Sequence, residues 1–454
     1  MSLSESNGGM ARVLGTLRGL TRGQWMVLVA AFLGWLFDGF EIGLFPVVAR
    51  PALLNLLGSG GDAAVGPWMA RITASFLLGA ALGGLVFGWL GDRIGRVRSL
   101  ALSILTYSMF TGLSYFARSP WELGAYRFLG ALGMGGEWAL GVALVMECWP
   151  ENWRPALAGA IGAAANFGFL LTGFVAQIHP VTQESWRWMF LVGAAPALLV
   201  VFVVLGVPES ERWKRVAGAE VRSRPLREVL GSAMRRRTFL GIAFASVALI
   251  GTWGSVQWLP LWADQLAERQ AKAALAQRQA GHPEVVQSPE VAKEGRKAAA
   301  RAKADTQVCQ ALGAILGCLV APALGAFLGR RQAYFLLCLA SLILCAGMFR
   351  LVEAYHGWFL LGAFLVSGAT ASFYGWFPLY LPEIFPTRVR ATGQGLCYNF
   401  GRVFAAGGAL VQGQLVASFG GSYPRAGAVV TLVYLVGMVL IWFAPETKGR
   451  PLPE

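Results

Sequence analysis

The chain has 454 residues, of which 56% are hydrophobic and only 14% are charged. That composition, with a mean hydropathy of +0.55, excludes an ordinary soluble enzyme and predicts a protein that crosses a membrane many times. The formal net charge of +14 does not indicate a nucleic-acid partner. Most of the basic residues lie in short connections between apolar segments, where such residues orient membrane proteins.

Twelve apolar segments follow one another along the chain, each close to the ~20 residues that cross a bilayer as a helix. They lie at residues 25–49, 68–90, 99–116, 122–148, 155–178, 187–207, 238–262, 306–328, 333–352, 357–381, 391–418 and 425–444. We therefore predict an all-α membrane protein of twelve transmembrane helices in two pseudo-symmetric six-helix halves, residues 25–207 and 238–444. The excess of Lys and Arg in every second connection predicts that the tails, residues 1–24 and 445–454, are cytoplasmic.

Two connections are longer than the rest. Residues 208–237 are basic and lie midway along the chain, so we expect a cytoplasmic linker between the halves that also contacts anionic headgroups. Residues 263–305 are rich in Ala, Gln, Glu, Lys and Arg around two prolines, and we expect a helical hairpin in solvent on the outer side. A tolerated insertion is favoured for this second segment over a lid.

Five charged residues lie away from the ends of the apolar segments: Asp38 and Glu41 in the first, Arg127 and Glu137 in the fourth, and Arg402 in the eleventh. Charges at membrane depth are costly, so they face protein or water and are functional candidates. From the direction of each helix we expect all five to meet in one central cavity. Asp38, Glu41, Arg127 and Glu137 are the predicted proton-coupling residues, with fixed ion pairs and interhelical hydrogen bonds as the alternative.

The charge balance of this cavity predicts a mechanism. Three carboxylates against two guanidiniums leave one excess negative charge, which a bound proton would balance. A carboxylate cargo would pair with Arg402 or Arg127 and strengthen that demand, so proton and anion would each help the other to bind. Further candidates for contact with cargo are Asn166, Asn399, Gln257, Trp253, Tyr374 and Trp376. Helix packing is the alternative role for each of them.

The connection between the second and third segments reads Gly88-Trp-Leu-Gly-Asp92-Arg93-Ile-Gly95-Arg96-Val-Arg98. This stretch resembles the G-x-x-x-D-R-x-G-R-x-R signature of the major facilitator superfamily of transporters, and further matches cover nearly the whole chain outside residues 263–305. They are Arg127 with its glycines, Glu147 to Arg154, Pro208-Glu209-Ser210, Pro382 to Arg388, and Pro445 to Gly449. The resemblance implies the major facilitator fold, with two halves that rock about a central site.

The same resemblance implies a gate in the cytoplasmic loops. Asp92 would lie near the N-terminus of the eleventh helix, where unpaired N–H groups and the helix dipole favour an anion. The matching stretch from Gly325 to Arg331 lacks the aspartate, so we expect a latch on one side only. The predicted gating residues are Gly91, Asp92, Arg93, Gly95, Arg96, Glu147, Arg154, Glu383, Arg388 and Arg390. For the arginines, membrane orientation and headgroup contact remain the alternative roles.

Two sets of motifs favour different cargoes. Pro-Glu-Ser after the sixth segment and Pro-Glu-Thr-Lys-Gly after the twelfth are similar to sugar porters. The motifs at Asp38 to Glu41, around Glu137 and at Tyr398 to Arg402 look more like metabolite:proton and aromatic-acid:proton symporters. Charges at membrane depth contact the cargo, so we give the second set more weight. We predict a proton-driven importer of a small organic acid or related metabolite, working as a monomer in the inner membrane.

The alternatives are a sugar or polyol porter, an exporter, and a transporter-like receptor for a nutrient. We expect no enzyme activity, because nothing in the sequence resembles a nucleophile with its base or a metal cluster. We expect no cofactor, and the proton is the expected coupling ion. The expected partners are a small-molecule substrate and the lipid bilayer.

Overall fold

The computed structural model describes residues 19–58, 62–178, 181–218, 224–278, 289–420 and 422–454. Twelve long helical segments follow one another through these residues, which confirms the predicted all-α architecture. They are α1 (Arg22–Leu57), α2 (Asp62–Ile94), α3 (Arg96–Leu113), α4 (Pro120–Cys148), α5 (Arg154–Ile178), α6 (Trp188–Gly206), α7a and α7b (Arg235–Gly254 and Leu259–Arg278), α8 (Pro289–Leu328), α9 (Arg330–Leu351), α10 (Gly357–Ile384), α11 (Arg390–Ser418) and α12 (Tyr423–Phe443).

Ten of these segments in the described part of the chain are long and apolar enough by themselves to cross a membrane. The other two are α3, which begins with Arg96 and Arg98, and α11, which carries Arg390 and Arg402. Large apolar side chains are exposed on the outside of the bundle, for example on α6 and α9. Contact with lipid explains that exposure, since the hydrocarbon core is as apolar as a protein interior.

The helix starts follow from local chemistry. Thr21 and Gln24 form a reciprocal capping box at the first turn of α1, and Ser119 caps α4 with Pro120 at its first position. Each of these features satisfies or removes an N–H group that has no partner inside its helix.

The helices pack as two matching sets. In the first half α2 and α3 pack on α4 and α1 packs on α5; in the second half α8 packs on α10 and α7a on α11. The halves meet where α2 packs on α11 and α5 on α8. Adding six to each helix number exchanges these two contacts, as pseudo-symmetric halves require. We call the end of the bundle that carries Gly95, Gly329 and the starts of α5 and α11 the latch end.

Glycines set the distance between the halves. A Cβ atom at Gly162 of α5 would lie 2.5 Å from the carbonyl oxygen of Tyr374 in α10, and one at Gly88 of α2 would lie 2.7 Å from that of Ala391 in α11. Only glycine allows helices to approach so closely. Both contacts lie in the part of the bundle nearer the latch end, where the two halves are in direct contact.

The longer connections contain more helix than the apolar segments alone predict. Residues 263–278 continue α7b and residues 289–305 belong to α8, so both parts of the 263–305 segment extend neighbouring helices. The predicted hairpin as a whole is not tested, since residues 279–288 lie outside the described residues. The linker between the halves contains two short helices, Glu211–Ala217 and Pro225–Val229.

Candidate functional site

Two buried carboxyl groups lie side by side in the first half. Asp38 of α1 is 0% exposed and Glu137 of α4 is 2% exposed, and their carboxyl groups are adjacent. None of their four oxygens accepts a hydrogen bond from an N–H or O–H donor of the described residues. Gly34, one turn before Asp38, leaves the space that the Glu137 carboxyl group fills. Two buried acids in this arrangement can hold one proton between them at much lower cost than two negative charges.

The third acid has a different environment. Glu41 forms an ion pair with Arg127 and accepts a 2.9 Å hydrogen bond from the hydroxyl group of Thr111. The guanidinium group of Arg127 also lies between the rings of Phe45 and Phe76, 5.2 and 4.7 Å from their centroids. Every one of these contacts lies within the first half. Glu41 and Arg127 therefore form the fixed ion pair that the sequence left open as an alternative.

An aromatic cluster joins the two halves beside the acid pair. Tyr398 of α11 stacks on Trp138 of α4, with ring centroids 4.2 Å apart and an interplanar angle of 19°. Trp35 of α1 lies 6.2 Å from the Tyr398 ring, and Tyr374 of α10 lies 6.4 Å from it. The indole N–H groups of Trp35 and Trp138 have no acceptor among the described residues. The cluster thus offers flat apolar surfaces together with unused hydrogen-bond donors.

Arg402 completes this site from the second half. Its guanidinium carbon lies 5.2 Å from the centroid of the Tyr398 ring, and its side chain interacts electrostatically with Asp38. Its Nη1 is buried and has no hydrogen-bond partner within the described ranges. A buried guanidinium nitrogen without an acceptor is suited to a carboxylate, which can bind both arms of the fork.

In the structure the five predicted charges form two separate groups. Asp38, Glu137 and Arg402 surround the aromatic cluster, whereas Glu41 and Arg127 are paired within the first half. All five side chains are at most 6% exposed. The open cavity that the sequence predicts to join them is therefore closed in this state, because aromatic rings fill the space between the halves.

The remaining candidates for contact with cargo differ in position. Tyr374 belongs to the aromatic cluster. Asn399 donates hydrogen bonds of 2.8 and 3.1 Å to the carbonyl oxygens of Gly135 and Gly395, so its amide nitrogen joins α11 to α4. Trp376 lies elsewhere, and its assignment to the cargo site is corrected by its packing on Tyr334 and Tyr380 and its hydrogen bond to the carbonyl oxygen of Arg330.

Three further candidates lie on α5 and around the break in α7. Asn166 of α5 is half-buried, as is Trp253 near the end of α7a. Gln257 lies in the short turn between α7a and α7b and is exposed. Their contact with cargo stays a prediction.

Asp92 lies at the N-terminus of α11. Its carboxylate accepts hydrogen bonds from the N–H groups of Ala391 and Thr392, at 3.2 and 2.8 Å, and from the Thr392 hydroxyl group at 2.6 Å. It also pairs with Arg96 at 3.2 Å. One carboxylate of the first half thus satisfies the first N–H groups of a helix in the second half.

Arg96 and Arg390 cross the same interface. Arg96 donates to the carbonyl oxygen of Thr387 at 2.6 Å and to Glu147 at 3.0 Å. Arg390 donates to the same oxygen of Glu147 at 2.7 Å. We call Asp92, Arg96, Glu147 and Arg390 the latch, since together they join the halves at the latch end.

The second half repeats part of the latch. Arg330 donates to both carboxylate oxygens of Glu383, at 2.9 and 2.5 Å, and Thr447 donates to Glu383 at 2.6 Å. Gly95 and Gly329, which precede the two arginines, both have positive φ, at 105° and 110°, a backbone region where glycine is favoured. All contacts of Glu383 named here lie inside the second half.

Three predicted gating arginines lie outside the latch. Arg93 is exposed, with its guanidinium carbon 4.9 Å from the centroid of the Trp89 ring. Arg154 pairs with Glu151 of its own half at 2.6 Å. Arg388 binds Glu228 of the linker at 2.7 Å. Gly91 supplies the carbonyl oxygen that accepts a 2.9 Å hydrogen bond from Arg96.

Sequence reasoning missed Trp35, Trp138 and Tyr398 as site residues. Each lies one to four positions from a charge that it did identify, namely Asp38, Glu137 and Arg402. Aromatic residues at such spacings share or adjoin a helix face with the charge, and that signal could have found them. It also missed the chain end, where the carbonyl oxygen of Pro453 accepts a 2.7 Å hydrogen bond from Arg390.

Known transporters resemble this chain over most of its length. A family model described as "Sugar (and other) transporter" matches residues 26–238. The "Probable 4-methylmuconolactone transporter" of Cupriavidus pinatubonensis is 30% identical over 92% of this chain and 90% of its own length. The "Cis,cis-muconate transport protein" of Acinetobacter baylyi is 27% identical over 84% of this chain and 86% of its own. The proton:xylose symporter XylE, solved with 6-bromo-6-deoxy-D-glucose, shares the fold with a TM-score of 0.71 at 18% identity, over 95% of this chain and 98% of its own.

Proposed function

Because this chain belongs to the major facilitator superfamily and is a multi-pass membrane transporter, we propose that it carries a small organic acid across the membrane together with a proton. The observation that carries this proposal is the acid pair Asp38 and Glu137 beside Arg402, with stacked aromatic rings from both halves between them. The relatives named for a muconolactone and for muconate, and others named for gallate and gentisate, support a cargo that is an unsaturated or aromatic acid.

In this proposal different residues of the site bind the proton and the anion. The acid pair holds one proton, since two adjacent buried carboxylates repel each other when both are ionised. Arg402 binds the cargo carboxylate, and the rings of Trp138 and Tyr398 bind its flat apolar body. With the proton bound, the site loses a negative charge close to the incoming carboxylate. Proton and cargo therefore bind more tightly together than apart, which is the coupling that symport requires.

The latch supports alternating access. In this state it joins the two halves at one end of the bundle, so the path from the central site to that end is shut. We propose that this end faces the cytoplasm of an inner membrane, since the excess of Lys and Arg in the tails and loops at that end supports the orientation. Rocking of the halves would break the latch, open the site inward and release cargo and proton.

Uptake into vesicles tests the proposal. Purified protein is reconstituted, an inside-alkaline pH gradient is imposed, and labelled benzoate, muconate and xylose are offered. We expect accumulation of a carboxylate that a protonophore abolishes. Accumulation of xylose and of neither acid would instead support the sugar porter that the family description and the loop motifs favour.

Variants of the acid pair test the proton site. Asp38→Asn and Glu137→Gln should abolish gradient-driven accumulation while exchange of labelled for unlabelled acid continues, because exchange needs no net proton movement. Glu184→Gln is the matched control, since Glu184 is an exposed acid of the same half. Unchanged accumulation in both variants would reject the acid pair as the proton site.

A further inference from the structure

Gln394 of α11 is a buried amide that no contact explains. Its side chain is 0% exposed, and neither its Oε1 nor its Nε2 has a hydrogen-bond partner among the described residues. An amide in that state costs stability, because water bonded both atoms before folding. Such a group in a native structure requires an explanation, and a hydrogen bond to a polar group of a bound cargo would supply one.

The position of Gln394 connects it to the proposed cargo site. Gln394, Tyr398 and Arg402 follow one another at steps of four residues, so they share one face of α11. With a rise of ~1.5 Å per residue, Gln394 and Arg402 lie about 12 Å apart along the helix axis, and Tyr398 lies midway. From the latch end outward, this face therefore presents an amide, an aromatic ring and a guanidinium group.

Asn399 provides the contrast on the same helix. Its amide nitrogen donates to two carbonyl oxygens, of Gly135 in α4 and Gly395 in α11, and only its Oδ1 has no partner among the described residues, whereas both polar atoms of Gln394 lack one. The amide nitrogen that serves helix packing is therefore hydrogen-bonded. Gln394, whose amide has no partner, lies on the face of Tyr398 and Arg402.

We propose that Gln394 binds a second polar group of the cargo. The cargo is then a flat, conjugated acid whose carboxylate lies at Arg402, whose middle lies against Tyr398, and whose far end carries a second carboxylate or another oxygen group. A glutamine amide can both donate and accept a hydrogen bond, so it binds such a group where an apolar side chain would not. This inference rests on the proposed function and adds the residue that selects for the second group.

Sorbate and muconate are the matched probes. Both are conjugated six-carbon acids, but sorbate carries one carboxylate and muconate two. Uptake of each is measured in vesicles with wild type, with Gln394→Leu, and with Gln414→Leu as the control, because Gln414 is an exposed glutamine of the same helix. We expect Gln394→Leu to raise the KM for muconate about tenfold or more and to change that for sorbate less than about twofold, since only muconate loses a buried hydrogen bond. Gln414→Leu should change neither.

The outcomes separate this inference from the function on which it rests. If wild type accumulates the acids and Gln394→Leu changes both KM values equally, or neither, the second subsite is overturned while the transport proposal stands. If wild type accumulates neither acid under a pH gradient, the proposed function fails and the subsite fails with it. Gln394→Asn serves as a further check on folding: it keeps the amide but shortens its reach, and it should raise the KM for muconate less than Gln394→Leu does.

Discussion

The two halves of the molecule carry the same charged network at the latch end, but they differ in what the network holds. In the first half Arg96 and Glu147 reach Thr387 and Arg390 of the second half. In the second half Arg330 and Glu383 bind each other, and the hydrogen bonds that Glu383 accepts come from Arg330 and Thr447 of that half. The same motif therefore connects the two halves in one place and stabilises a single half in the other.

The sequence contains the reason for this difference on both sides of the interface. Ala326 stands where Asp92 stands in the first half, so no carboxylate is available. Pro155 and Ala156 of α5 stand where Ala391 and Thr392 begin α11, so one N–H group and one hydroxyl group are missing as well. The missing carboxylate and the missing donors together explain why, in the part of the chain that the structure describes, the bond from Asp92 to the start of α11 has no counterpart from α8 to the start of α5.

The largest effect is expected from Glu147. Glu147→Gln removes the carboxylate that Arg96 and Arg390 share, which leaves Arg96 with Asp92 alone and Arg390 with no carboxylate partner among the described residues. Breaking a buried pair costs about 3–5 kcal/mol. The closed state should be destabilised relative to the open state by most of that free energy, so the halves should separate at the latch end. Spin labels at Arg98 and Arg235, in a variant without the native cysteines, would report a longer distance.

Glu383→Gln is the control for that comparison. It also removes a buried carboxylate from an arginine, but inside one half. We expect a lower melting temperature and an unchanged distance between the labels. Equal changes of the label distance in Glu147→Gln and Glu383→Gln would contradict the claim that Glu147 connects the halves and Glu383 stabilises one half.

A smaller effect is expected from Asp92. Asp92→Asn keeps the shape but removes the charge that three donors of α11 bind, and a hydrogen bond to a charged group contributes about 1.5–3 kcal/mol. The label distance should shift toward the open state, but less than in Glu147→Gln. Ala326→Asp should leave the distance nearly unchanged, because Pro155 has no N–H group to donate. A distance change in Ala326→Asp as large as that in Asp92→Asn would contradict this account of the asymmetry.

The chain end should contribute less again. Pro453 accepts hydrogen bonds from Arg390 and from the N–H group of Thr387, and Leu452 is buried. Deleting residues 451–454 removes these contacts from the closed latch, where a net hydrogen bond contributes about 1 kcal/mol, or roughly a fivefold change in the ratio of states. The label distance measures it, with Glu454→Gln, a change at an exposed residue, as the control. An unchanged ratio would show that the chain end only covers the latch.

The smallest effect is a pH dependence at Glu446, which lies beyond α12. Burial raises the pKa of Glu446, but backbone N–H groups of Arg330, Arg331, Lys448 and Thr447 lower it by more, so it lies below its ordinary value of 4.5. A carboxylate with a lowered folded-state pKa stabilises the fold above its unfolded pKa, and that stability is lost as pH falls through the folded value.

The melting-temperature difference between wild type and Glu446→Gln should therefore be constant near neutral pH and shrink in acid, below about pH 4.5. The difference should be small, because Glu446 is only half-buried and solvent screens it. Glu184→Gln should show no such profile. A difference that grows in acid would contradict the sign.

Sequence alone predicted the parts of the site that depend on spacing. The shared face of Asp38 and Glu41 followed from the helical period, whereas the position of Asp92 at the N-terminus of α11 followed from the resemblance of its loop motif to that of the major facilitator superfamily. The sequence did not predict which of the charged side chains pair with each other. Whether Glu41 or Glu137 is the neighbour of Asp38 depends on which helix lies opposite, and Trp376 was placed at the cargo site because an aromatic residue at membrane depth looks the same in a cavity and in a packed interior.

The order of apolar segments and loop charges determined the twelve helices, the two halves and the absence of a second aspartate, because each of these properties is local and a helix satisfies its own backbone within the lipid. Tertiary structure alone decided that one carboxylate is neutralised by an arginine while another lies against a second acid. Partnership between charges depends on distances of a few ångströms across helices that are far apart in the chain, and no pattern of spacing contains those distances.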